Sequence, residues 1–211
     1  MKSVYVILIV LIGSLGCKGQ SKLGYSDDRI LEAYKFIILH YPDGFIYYST
    51  MSSSDTGPDF GGQVLSYESL NRANREHSAS GIFKTTPYVD FDTLLTVEQK
   101  ASLIDKFDRL PVIELDQNRI KAKLFYEDDV EKLKTATYEE KLEYKRISFP
   151  IFQKGKDGTE YLIIAEHGVD PNHTTDPLDF LNRGQILVFR NLNGEWENFC
   201  VISSFWLGRR P

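Results

Sequence analysis

A tight turn close to the carboxyl terminus most constrains the fold of this chain. Asn193-Gly194 separates two apolar segments, and Asn-Gly is the preferred pair in two-residue hairpin turns. Lys156-Asp157-Gly158 marks a second turn upstream. Around these turns the apolar patterns predict strands at 144–152, 161–165, 185–190 and 196–206. Sequential strands joined by tight turns form an antiparallel meander, so we expect the last third of the chain to be an antiparallel β-sheet.

Helical patterns fall mainly in the first half of the chain. Ser26 and the acidic residues Asp27 and Asp28 are typical of a helix start, and apolar residues recur at helical spacing up to Ile38. Thr96 and Gln99 have the spacing of a capping box and predict a second helix that ends before Pro111. The fold class predicted is therefore α+β, an antiparallel sheet with the amino-terminal helices packed on one face, as a single domain over residues 26–211.

The first seventeen residues predict where in the cell the protein is located. Lys2 is followed by an apolar run over 4–12 that is too short to span a bilayer, then by Gly16 and Cys17. This order is typical of a bacterial lipoprotein signal peptide over 1–16, with Cys17 as the lipidated first mature residue and 17–25 as a tether. Its thiol would carry diacylglycerol and its amino group a further chain such as palmitate. The alternative is a secretory signal or uncleaved anchor in which the cysteine is a coincidence.

Charge and cysteine content narrow the classes of partner. The net charge is −5, and removal of Lys2 with the leader leaves 24 basic and 30 acidic side chains, a charge near −6. An acidic balance disfavours nucleic acid, and it disfavours electrostatic binding to anionic lipid, which leaves anchoring to the acyl chains. Cys200 lies in an apolar run, which predicts a small buried residue rather than a nucleophile.

The carboxyl-terminal pattern also carries a family resemblance. The ordered series is 149–152 (FPIF), Asp157-Gly158, 161–164 (YLII), 184–189 (GQILVF), 193–196 (NGEW) and 205–207 (FWL). It resembles the end of small uncharacterised lipoproteins and secreted proteins of Bacteroidota, in which a P-x-F … DG … NG-x-W meander closes the domain. The resemblance covers about a quarter of the chain. It implies a compartment and a fold, with no reaction attached.

One polar segment is a candidate site. The predicted hairpin connection 167–184 is much longer than a hairpin needs, and long loops often bind ligands. Its candidate binding residues are His167, Asp170, His173, Asp176 and Asp179. Imidazole and carboxylate groups also bind Zn²⁺, so His167, His173 and Asp176 are candidate metal ligands, although their spacing matches no standard zinc motif. The alternative is a solvated loop in which Asp-Pro and Asn residues form turns.

The sequence contains no known catalytic motif in its usual context, so no motif predicts an enzyme. Asp55-Thr56-Gly57 has the residues of an aspartic-protease tripeptide but follows serines instead of an apolar strand, and no second copy occurs. The sequence contains no G-x-S-x-G, P-loop or G-x-G-x-x-G motif.

Two classes of function stay open. The favoured one is a non-enzymatic binding module of the bacterial cell envelope, held by its lipid on a membrane outside the cytoplasm, with the outer membrane preferred. Its ligand would be a protein, peptide or glycan, and no cofactor is predicted. The alternative is a small hydrolase or metal-dependent enzyme that uses the loop from His167 to Asp179.

Overall fold

The computed structural model describes residues 24–41, 46–48, 50–51, 65–66, 70, 83–110, 113–125, 135, 137, 144–168 and 183–204. The helices of these ranges are α1 (Asp27–His40), α2 (Phe91–Leu94) and α3 (Val97–Asp108). The strands are β1 (Ile46–Tyr48), β2 (Thr50–Met51), β3 (Phe83–Thr86), β4 (Ile113–Glu114), β5 (Lys123–Phe125), β6 (Tyr144–Ile147), β7 (Ile151–Lys154), β8 (Glu160–Gly168), β9 (Arg183–Leu192) and β10 (Glu195–Ser204). The predicted α+β class is confirmed.

The capping residues act as predicted. The Ser26 side chain accepts a hydrogen bond from the Arg29 N–H at the start of α1. At the start of α3, the Gln99 N–H donates to the Thr96 hydroxyl (3.1 Å), and the Thr96 N–H donates to the Gln99 side-chain oxygen (2.8 Å). Both arrangements satisfy backbone donors that the first helical turn leaves without a partner.

The main sheet joins eight strands among the described residues, in the order β3-β10-β9-β8-β6-β1-β5, with β7 also paired to β8. The meander β8-β9-β10 is antiparallel, as predicted, and β3 extends it antiparallel to β10. β1 pairs parallel to both β5 and β6, so the whole sheet is mixed. The short strands β2 and β4 form a separate antiparallel pair.

The predicted strand 144–152 is two strands. β6 and β7 pair with different parts of the same edge of β8, and residues 148–150 lie between them. Pro150 cannot donate a ladder hydrogen bond, which interrupts the pairing. Ser148 bridges the break, because its N–H donates to Ala165 O (2.8 Å) and its hydroxyl accepts from Ala165 N (2.9 Å).

The helices do not share one face of the sheet, which corrects the predicted packing. The first face carries Leu162 of β8 and its register partner Phe189 of β9. The helix α1 packs on this face, and the centroids of the Phe36 and Phe189 rings are 4.6 Å apart. The second face carries Ile163 and Val188. Phe91 of α2 and Leu103 of α3 line a cavity of about 10 Å³ with them, a volume that holds at most one water. The sheet is therefore a central layer between helices.

Candidate functional site

The predicted binding loop leaves the sheet at a defined end, which we call the connection edge: Lys145, Glu166, His167, Gly168 and Arg183. β8 ends here at Gly168, and β9 begins at Arg183. Gly168 pairs with Lys145 of β6 on one side and with Arg183 of β9 on the other. The strand ladder thus continues on both sides of β8 to its last residue, so the chain leaves a platform that is hydrogen-bonded to its end.

An ion pair stabilises this platform. Lys145 Nζ donates to Glu166 Oε1 at 2.6 Å, and the Glu166 side chain is only 12% exposed. Both residues lie on the first face, because Lys145 pairs with Gly168 and side chains two residues apart on a strand share a face. A charge-assisted hydrogen bond at a half-buried position is stronger than one in water, whereas either charge without its partner would be costly. The pair therefore holds β6 to the end of β8.

The structure moves the boundary of the candidate loop. His167 is a strand residue of β8, paired with Arg146 and Gly184, and not the first residue of a loop. The β8 ladder continues past the apolar run because β6 and β9 both offer backbone partners there. The connection is thus 169–182 rather than 167–184.

The other predicted site residues cannot be compared with the sheet, because the structure does not describe them. Asp170, His173, Asp176, Asp179 and Cys17 lie outside the described residues, as does the side chain of His167. Within the described ranges, no three His, Cys, Asp or Glu side chains lie close enough to hold a metal ion. The metal site and the lipidation therefore stay predictions.

Cys200 is confirmed as a buried small residue. It lies in β10 opposite Val188 and has no exposed surface. Burial raises the pKa of its thiol from 9.0 to about 12, because the low-dielectric interior disfavours the thiolate. A thiol with this pKa stays protonated at neutral pH and is a poor nucleophile. The prediction that Cys200 is not a nucleophile therefore agrees with its burial.

Sequence reasoning did not find the Lys145–Glu166 pair. Lys145 lies inside one predicted strand and Glu166 directly follows another, but the contact depends on the register between β6 and β8, which are separated in the chain by β7. The signal that could have found it is the polar residue at the end of an otherwise apolar run, since Glu166 follows 161–165 directly. A charged residue that continues a buried strand needs a partner of opposite charge.

The described residues contain no helix that is long and apolar enough to cross a membrane. In the comparisons, the chain matches no protein-family model, no curated protein and no solved structure.

Proposed function

We propose that the protein is a lipoprotein of the bacterial cell envelope that acts as a binding module outside the cytoplasm. The observation that carries the proposal is the leader, in which a short apolar run ends at Gly16-Cys17. An acyl chain contributes roughly 0.8 kcal/mol per buried methylene, so Cys17 with more than one chain would anchor the domain stably. The outer membrane is the preferred location.

The binding role is supported by the connection edge. Residues 169–182 join two strands of nine and ten residues that pair up to Gly168 and Arg183. Binding segments are commonly carried by a rigid scaffold, which limits the entropy lost on binding. The polar residues of the connection suit a protein, peptide or glycan ligand. The buried, protonated Cys200 argues only against an enzyme that uses this thiol as its nucleophile.

Metabolic labelling with an alkyne fatty acid tests the anchor. Wild-type protein should incorporate the label, and Cys17→Ser should lose it and leave the membrane fraction. Cys200→Ala is the matched control, since it removes the other cysteine of the chain and should keep the label. Labelled Cys17→Ser would contradict the proposal.

Photo-crosslinking in cells tests the binding role. A crosslinking residue in place of Asp176 should give a discrete adduct. The same residue in place of Asn193, in the exposed turn at the other end of β9, should not. The same adducts from both positions, or none from position 176, would contradict a binding segment at the connection edge.

A further inference from the structure

The outer side of α1 carries apolar residues that the domain does not bury. Leu31, Ile38 and Leu39 are 51%, 43% and 77% exposed. Together with the exposed Lys35 they lie on one side of the helix, since residues three, four and seven apart share a face. We call these four residues the outer face of α1.

The outer face is not exposed by chance rotation of a loosely held helix. On the opposite side of the helix, Phe36 is 1% and Ile37 2% exposed. The centroids of the Tyr34 and Phe149 rings are 6.0 Å apart. At the amino end, the Arg29 guanidinium lies 4.6 Å from the centre of the Phe152 ring and pairs with Glu160. These contacts fix the helix axis and its rotation, so the outer face must point away from the sheet.

We propose that the outer face of α1 lies on the lipid bilayer that anchors the chain. This inference rests on the proposed acylation of Cys17. Asp27, the first residue of α1, follows Cys17 by ten residues, which span at most about 35 Å when fully extended. α1 is therefore the first described element after the anchor and is held within reach of the membrane.

The charges of α1 favour an apolar contact with zwitterionic lipid. The acidic residues Asp27 and Asp28 lie in the first turn, and the chain is acidic as a whole, so anionic headgroups would not attract it. Leu31, Ile38 and Leu39 can enter the boundary between headgroups and acyl chains, while the Lys35 ammonium extends to the headgroups. Contact with the bilayer would thus remove the exposed apolar side chains of the outer face from water.

Depth-dependent quenching tests this orientation. Full-length acylated protein with Leu39→Cys is labelled with a small fluorophore and reconstituted into phosphatidylcholine vesicles that contain doxyl-labelled lipid. Val97→Cys is the matched control, because Val97 is 63% exposed and opens α3 on the opposite face of the sheet. Wild-type protein taken through the same labelling reports any reaction of Cys200.

We expect lipid quenching at position 39 to exceed that at position 97 by at least twofold. Equal quenching at both positions would overturn the proposal. The proposal would also be overturned if the fluorophore at position 39 became shielded from solvent as the protein concentration rose, without being quenched by lipid. That result would indicate that a second copy of the chain covers the outer face. If wild-type protein is not acylated, the anchor itself fails. If it is acylated and position 39 is unquenched, only the bilayer contact fails.

Discussion

At Cys200, the surrounding sheet decides the chemistry of the side chain. The thiol lies opposite Val188 with no exposed surface, and its pKa is raised by burial alone. The apolar neighbours Val201 and Ile202 made this burial predictable from sequence. Contacts between distant strands were not predictable in this way, and the Lys145–Glu166 pair needed the register of β6 against β8.

We expect the Cys200 thiol to resist iodoacetamide at pH 8 in the folded protein and to react fully in denaturant. A folded-state pKa of about 12 against 9.0 also means that the native state favours the protonated form. The stability it contributes is complete below pH 9 and is lost as the pH rises toward 12. Urea titrations at pH 8 and 10.5 should show a larger fall in the free energy of unfolding for wild type than for Cys200→Ala. Rapid alkylation of the folded protein would contradict this account.

Among the elements, β8 shows how much a strand pattern predicts. The unbroken apolar run over 161–165 indicates burial on both faces. The structure agrees, because Leu162 faces α1 while Ile163 faces α2 and α3. The prediction of helices on one face was wrong, because the order of helices along the chain does not determine which face of the sheet each one covers, whereas a strand buried on both faces needs a layer on each. The sequence predicted that 144–152 is extended. It did not predict that the segment divides into β6 and β7, because this division depends on the hydrogen bonds between Ser148 and Ala165.

β10 contains an irregularity that alternation cannot reveal. The pattern predicts that Ile163, Val188 and Phe199 are buried, and this is confirmed for the first two, each 2% exposed. Phe199 is only partly buried, because the register of β10 against β9 shifts between Asn198 and Cys200. A bulge changes the side to which the following residues point.

These positions make a paired prediction for the stability of the sheet. Ile163→Ala removes buried methyl groups beside α3 and should lower the free energy of unfolding by about 2–5 kcal/mol. Phe199→Ala should cost less than Ile163→Ala, although phenylalanine is larger, because Phe199 is only partly buried against the core. Urea unfolding followed by circular dichroism measures both. An equal or greater loss for Phe199→Ala would show that the bulge is misplaced.

Across the whole molecule, the sheet order brings Lys145, Gly168 and Arg183 to one edge although they are far apart in sequence. The antiparallel pairs β7–β8 and β9–β10 were predictable because the turn within each pair is short and local. The parallel pairing of β1 with β5 and β6 was not, since these strands are separated by long intervening segments. For the same reason, sequence could nominate the polar connection after β8 but could not place the elements beside it.

A zinc site at the connection edge would use His167 of β8 and His173 of the connection 169–182. His167 is anchored in β8 by pairing with Arg146 and Gly184, so a metal site would have to be completed around the end of that strand. Bound zinc stabilises the native state according to its concentration relative to its dissociation constant, and a true site would raise the melting temperature. We expect zinc to leave the melting temperature of the wild type unchanged, and to leave that of the His167→Ala, His173→Ala double variant unchanged as well. Neither protein should retain zinc after dialysis. Zinc retained by wild type alone, with a raised melting temperature, would instead support the metal-dependent alternative.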